Sequence, residues 1–208
     1  MMMNPILQLE ERVSNYFGSP YAVAVDCCTH GIELALRLID EGDRGIKYQV
    51  TCPNWTYLSI PMTFEKLGYE WHFTSEKWQE YYQIGNTNVF DAATMWRQNS
   101  YIPSTIMCVS FQLKKHLSVG KGGMILLDNA EDAEILRQIR YDGRPELEAA
   151  WADQEIKRFG YHYHMTFETA QLGLDKLDDA IARVPKLWSY KDYPNLSTYE
   201  IFNKGVQH

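Results

Sequence analysis

Apolar residues fall along this chain in two patterns: short runs of four or five, and stripes spaced three and four apart. The runs predict buried strands and the stripes predict amphipathic helices. In order, they predict a helix over 7–17, a strand over 21–25, a helix over 29–39 and a strand over 48–51. A helix over 57–67 with Pro61 inside it, a strand over 69–73 and a weak helix over 75–82 come next. A short strand over 88–90 runs into Asp91, two strands follow over 106–109 and 124–127, and a helix covers 129–141. Glu131, Asp132 and Glu134 lie in the first turns of that helix, where they suit its dipole. Beyond about residue 141 the pattern turns helical. Its clearest stretch is 166–184, with Thr166 at the cap and Leu172, Leu174, Leu177 and Ile181 as apolar positions. Strands alternating with helices predict an α/β fold, a three-layer αβα arrangement around a mostly parallel sheet. Such sheets bind ligands at the carboxyl ends of their strands.

The last stretch, 185–208, is rich in Tyr, Trp and Pro with little periodicity and reads as a tail or docking arm. The main domain is then 1–184, with C-terminal helices from about residue 146. A length of 208 residues allows one good core with a small appendage. A net charge of -7 does not suggest a nucleic-acid surface. The opening residues, Met1 to Pro5, lack the basic and apolar parts of a secretory leader, and no apolar run approaches a membrane span. Cys27, Cys28, Cys52 and Cys108 show no zinc spacing and read as reduced thiols of a cytoplasmic protein, with no metal expected. The 14 Tyr and 6 Trp suit flat ligands or an aromatic-rich interface.

Candidate chemistry concentrates between the strands over 106–109 and 124–127, in Ser110-Phe-Gln-Leu-Lys-Lys-His-Leu-Ser-Val-Gly-Lys-Gly-Gly123. A lysine on a turn between core strands is either a solvated surface pair, Lys114 with Lys115, or a desolvated amine. Desolvation lowers a lysine pKa and makes the amine a nucleophile toward carbonyls, as in Schiff-base lysines. The junction Asp26-Cys-Cys-Thr-His-Gly31 joins a strand to a helix, so its N–H groups suit a phosphate, while Thr29 either adds a hydroxyl or caps the helix. Asp91, among apolar neighbours at a strand end, needs a partner such as a protonated pyridine nitrogen, or else serves as a cap. Trp55 and Tyr57 offer rings for a flat cofactor or for the core.

The order of these features resembles the DegT/DnrJ/EryC1/StrS family of pyridoxal-phosphate-dependent sugar aminotransferases, from about Leu7 to about Arg183. Ser110-Phe-x3-Lys115, followed by Gly120-x-Gly-Gly123, is similar to the family's Ser-Phe-x3-Lys signature. Phe90-Asp-Ala-Ala93 is similar to its Asp-Ala-Ala motif, and Tyr21–Val25 with Thr29 to its phosphate-loop region. Gly160-Tyr-His-Tyr-His-Met165 resembles its Gly-Tyr-Asn-Tyr-Arg-Met segment. The resemblance implies a pyridoxal 5'-phosphate-binding large domain in which Lys115, not Lys114, forms the Schiff base and shuttles protons. By the same resemblance Asp91 pairs with the pyridine nitrogen, Ser110 and the Cys28–Thr29 turn hold the phosphate, and Tyr57 stacks on the ring. It further implies a homodimer with shared sites, where the loop carrying His162 and His164 reaches the neighbour's phosphate site. The implied reaction moves an amino group from glutamate to a nucleotide-linked keto-sugar through pyridoxamine phosphate.

The chain departs from the family pattern. Cys28 replaces a glycine, Thr94 a glutamine, Lys121 a glutamate, and His162 and His164 an asparagine and an arginine. Only 22 residues separate Gly68 from Asp91, so a βα unit is expected to be missing, and the family's C-terminal domain is expected to lack a counterpart after Val184. Two functions follow: a compact aminotransferase that keeps the chemistry, or a non-catalytic relative acting as a binding or assembly subunit.

Overall fold

The computed structural model describes residues 4–42, 49–146 and 149–203. Helix α1 (Pro5–Phe17) starts where Asn4 accepts a hydrogen bond from the Ile6 N–H at 2.9 Å and where Pro5 needs no partner for a missing N–H. It is followed by β1 (Tyr21–Val25), α2 (Cys28–Gly42), β2 (Val50–Pro53), α3 (Ser59–Leu67) and β3 (Trp71–Thr74). Then come β4 (Tyr82–Gln83), β5 (Val89–Asp91), β6 (Ile106–Ser110), β7 (Gly123–Leu127), α4 (Ala130–Ile139), α5 (Phe167–Ala182) and α6 (Glu200–Asn203). Tyr48, the expected start of the second strand, lies outside the described residues.

The main sheet has the order β1-β7-β6-β5-β4, and β2 pairs with β3 in a separate parallel pair. The expectation of a mostly parallel sheet is corrected here. In the main sheet β1–β7, β6–β7 and β4–β5 are antiparallel and only β5–β6 is parallel, so the sheet is mixed. The cause is local: the segment from Ser110 to Gly123 folds back as a hairpin rather than crossing over, and β1 then pairs with the reversed strand.

Side chains alternate across this sheet. Val23, Val25, Cys108, Ile125 and Leu127 pack with residues of α2, α3 and α4 such as Leu36, Phe64 and Leu136. Ala24, Met107, Val109, Met124 and Leu126 pack on the other side with α1 and α5 through Leu9, Val13 and Leu177. Both faces are therefore covered, which is why these strands read as continuous apolar runs. Each large aliphatic side chain buried this way contributes roughly 1.5–3 kcal/mol. Gly173 lets α5 approach α1, since a Cβ there would lie 2.9 Å from a Leu9 methyl. Buried Glu10 of α1 accepts from the Arg140 guanidinium at 2.6 Å, from Arg137 at 3.2 Å and from the Ala24 N–H at 2.8 Å. That set of donors satisfies the carboxylate inside the core.

Several local expectations change. Helix α3 starts at Ser59 rather than 57, so Pro61 sits in its first turn, where no hydrogen bond is lost. The segment 75–82 is not helical: Glu80 has φ 63°, and Tyr82 joins β4. Trp78 and Tyr82 are both buried at a helical spacing, but the Glu80 N–H donates to Trp188 O and the Trp78 carbonyl accepts from Tyr190 N–H. Residues 149–165 contain only one 3-10 turn, Trp151–Asp153, instead of helices. Thr166 does cap α5, accepting from the Thr169 N–H at 3.2 Å. The buried stripe of that helix is Ala170, Gly173, Leu177 and Ala180, which leaves Leu172 and Ile181 exposed. The arm from residue 185 docks on its own chain: Leu196 N–H donates to Asn54 O at 2.7 Å, and Phe202 packs edge-on against Phe73. Among the described residues no helix is long and apolar enough to cross a membrane.

Candidate active site

The carboxyl ends of β1, β5 and β6 and the N-termini of α2 and α3 converge on one cavity of about 200 Å³. Six of the expected residues line it: Cys28, Thr29, Tyr57, Asp91, Ser110 and Lys115. Gly123 makes the convergence possible. A Cβ there would lie 2.6 Å from the Cys28 backbone nitrogen, so only glycine admits the start of α2 this close to β7. The first N–H groups of a helix have no intrahelical acceptors, and the residues that carry them in α2, Cys28 and Thr29, line the cavity. Thr29 Oγ1 lies 2.9 Å from Ser59 Oγ, so two hydroxyls from two helix starts meet at the same place. The Cys28 thiol turns away and donates to Cys108 O at 3.4 Å; burial pushes its pKa up, so it stays a thiol.

Lys115 sits on the hairpin between β6 and β7. Phe111, Leu117 and Val119 are buried in the α1–α5 side of the core and fix that turn. The Phe111 N–H donates to Gly122 O and the Val119 N–H to Phe111 O, each at 2.9 Å. Lys114 is exposed, whereas Lys115 is half-buried and lines the cavity. Burial lowers the Lys115 pKa, and the negative charge of Asp91 offsets part of that effect. Asp91 is buried, and burial raises its pKa. Hydrogen bonds from Tyr82 Oη at 2.7 Å and the Ala93 N–H at 2.9 Å counteract the rise. Tyr82 in turn shares a hydrogen bond with Thr56 Oγ1. Ser110 Oγ accepts from the Gln112 N–H at 3.4 Å. Tyr57 stands at the rim, half exposed.

His162 is not brought to this cavity. It is exposed, with Nδ1 3.3 Å from both Asp142 carboxylate oxygens and its ring edge-on to His164. Several residues at or near the site escaped the sequence reading: Ser59, Tyr82, Tyr193 and the pair Asp26–His30. Ser59 carried no clear signal, because the apolar stripe places the helix start two residues earlier, at 57. Asp26 accepts from His30 Nδ1 at 2.6 Å and from Lys121 Nζ at 2.7 Å, and His30 stacks on Tyr163 at 3.7 Å. Burial works against the charged imidazole, but hydrogen bonds with Asp26 and Cys27 outweigh it and push the His30 pKa up to about 9. Asp26, Cys27 and His30 lie close enough to share an ion. Yet a lysine and a protonated imidazole already occupy the carboxylate, which opposes a cation there.

The layered fold with a lysine hairpin facing a buried aspartate is that of the aminotransferases. Similar solved structures include an aminotransferase of pseudoaminic acid biosynthesis, PseC, from Helicobacter pylori (TM-score 0.69, 15% identity, 86% of this chain and 58% of that one). Another is the sugar aminotransferase CalS13 from Micromonospora echinospora (TM-score 0.67, 16% identity, 86% and 61%). The family model for the DegT/DnrJ/EryC1/StrS aminotransferase family matches residues 2–94 and 102–190, and the chain belongs to that pyridoxal-phosphate-dependent family. An uncharacterized protein of Methanocaldococcus jannaschii is 25% identical over 84% of this chain and 57% of its own length. The chain thus spans less than two thirds of the relatives it matches.

Proposed function

We propose that this chain binds pyridoxal 5'-phosphate at Lys115 and moves an amino group from glutamate to the ketone of a nucleotide-linked sugar, with pyridoxamine 5'-phosphate as the alternate form. One observation carries this reading: a desolvated lysine and a buried, hydrogen-bonded aspartate share a cavity with the hydroxyl of Ser110 at a strand end and that of Thr29 at a helix start. That donor set fits the cofactor. The Thr29 and Ser110 hydroxyls and the first N–H groups of α2 suit a phosphate. Asp91 suits a protonated ring nitrogen, because Tyr82 and Ala93 already hold its carboxylate in place and favour its charged form. Tyr57 at the rim offers a ring face.

When bound, the cofactor supplies an electron sink next to the carbon that gains or loses the amine. The chain supplies the rest. Lys115 Nζ is nucleophilic to the extent that burial keeps it uncharged, and as a free amine it is placed to take a proton and return it. Walls formed by Ile32, Ile60 and Ala93 limit water in the cavity. By the family resemblance of its loop, we assign the exposed His162, which pairs with Asp142 away from this cavity, to the phosphate subsite of a second copy in a homodimer.

Titration of the purified protein with pyridoxal 5'-phosphate is expected to give an absorbance band near the visible edge and a borohydride-stable adduct at residue 115. Lys115→Ala should remove both. Glutamate should then bleach the wild-type band. Absence of band and adduct overturns the reading. A band that glutamate leaves unchanged favours the non-catalytic alternative.

A further inference from the structure

We infer that the C-terminal arm walls the lysine pocket in cis and that Tyr193 is a positioning residue for Lys115. The inference rests on the role given to Lys115 above. Lys115 Nζ donates to Tyr193 Oη at 3.3 Å, across 78 residues of sequence. The same nitrogen lies 5.3 Å from the ring centre of Trp188 and 6.0 Å from that of Tyr193. The amine therefore sits under two aromatic rings and one hydroxyl, all contributed by the arm.

The arm is built to hold this position. Backbone hydrogen bonds from Glu80 N–H to Trp188 O at 2.9 Å and from Tyr190 N–H to Trp78 O at 3.1 Å stitch it to the segment before β4. Tyr193 packs against Trp78 at 5.4 Å and Trp188 at 6.2 Å between ring centres. The Trp78 indole N–H is itself tied to Trp55 O at 2.7 Å. Tyr193 also lines, with Tyr57 and Asp91, a narrow cleft beside the main cavity. The arm thus closes the side of the site between the lysine and the aspartate and leaves the larger cavity open. It acts as a wall rather than a plug.

The physical consequence is twofold. A lysine has a long flexible stem, and a fixed acceptor narrows the positions its amine visits. The two rings also exclude water from the amine, and this loss of hydration outweighs the attraction of the ring faces for an ammonium, so the Lys115 pKa lies below its ordinary value. Burial holds the Tyr193 pKa above its ordinary value, so the phenol stays neutral as the amine titrates.

Two variants test the inference, Tyr193→Phe and the double variant Trp188→Ala with Tyr193→Ala. In the first measurement, lysines are reductively methylated with 13C-formaldehyde and titrated by NMR. The Lys115 signal is identified by its loss in Lys115→Arg. This readout needs no cofactor. The double variant is expected to raise the Lys115 midpoint by about half to one pH unit, toward the ordinary lysine value. In the second measurement, Tyr193→Phe keeps the ring and the fold. It is expected to weaken pyridoxal 5'-phosphate binding about three- to tenfold, the effect of one modest hydrogen bond. An unmoved midpoint in the double variant, or cofactor binding in Tyr193→Phe as tight as wild type or tighter, overturns the inference. If wild-type protein shows no visible-edge band, the aminotransferase reading fails, while the NMR midpoints still decide the role of the arm.

Discussion

A carboxylate as deeply buried as Asp91 keeps its charge only through the groups that donate to it. Tyr82 is the side-chain donor, and it belongs to a segment whose helical spacing of aromatics hides its actual role. Tyr82→Phe should push the Asp91 pKa further up, because desolvation then meets one fewer opposing hydrogen bond. Urea unfolding at neutral pH should show a loss of about 1–3 kcal/mol, the cost of depriving a buried charged group of one partner. An unchanged midpoint would mean that Thr56 or water replaces the phenol. The difference in legibility between these two residues is physical. Asp91 and Ser110 could be placed at strand ends because each follows an apolar run, and Lys115 could be placed on a turn because it lies between two such runs. Tyr82 could not, because it reaches Asp91 as its cross-strand partner, a neighbour in register and not in sequence.

Helix α2 shows how one element depends on the absence of a single carbon on another. Its start can border the cavity only because β7 begins with Gly123. Gly123→Ala would force a Cβ against the Cys28 nitrogen and displace the turn that carries Thr29. The expected cost is about 1–3 kcal/mol of stability, as for overpacking. Weaker binding of pyridoxal 5'-phosphate should accompany it, read by thermal melting and by titration. Wild-type affinity in that variant would separate α2 from the anion subsite. At this scale the extents of the long helices were legible because their caps are local, as Asn129 before α4 and Thr166 before α5 show, whereas the buried face of α5 was not, because it is made of Ala170, Gly173 and Ala180 beside Leu177. The direction of the strands was not, since whether β6 and β7 join by a hairpin or a crossover depends on how the Lys115 turn packs on the core.

Across the whole molecule, charge ties the site to the surrounding chain. Asp26, at the end of β1, holds His30 of α2 and Lys121 of the hairpin together. The folded His30 pKa of about 9 lies above its ordinary 6.5. Its stabilising effect is therefore full below pH 6.5 and is lost as pH rises through 9. The Asp26 pKa is lowered, although burial alone would raise it, because His30 and Lys121 favour the carboxylate. That contribution is present above the ordinary carboxylate pKa and is lost as pH falls below it. Denaturation midpoints measured from pH 6 to 10 should decline on the alkaline side, and His30→Gln should flatten that decline. An equal slope in both proteins would place the alkaline loss elsewhere.

The pairing of the first strand with a late one has a consequence for how this chain is made. Strand β1 finds its partner only at β7, and α1 finds α5 only at residues 167–182. As the polypeptide leaves the ribosome, Leu9 and Val13 must wait until residues 167–182 have been made before that cover exists. Contacts this distant in sequence slow folding and lengthen the time that apolar surface stays open. The newborn helix α1 thus keeps its apolar face open while the chain between it and α5 is made.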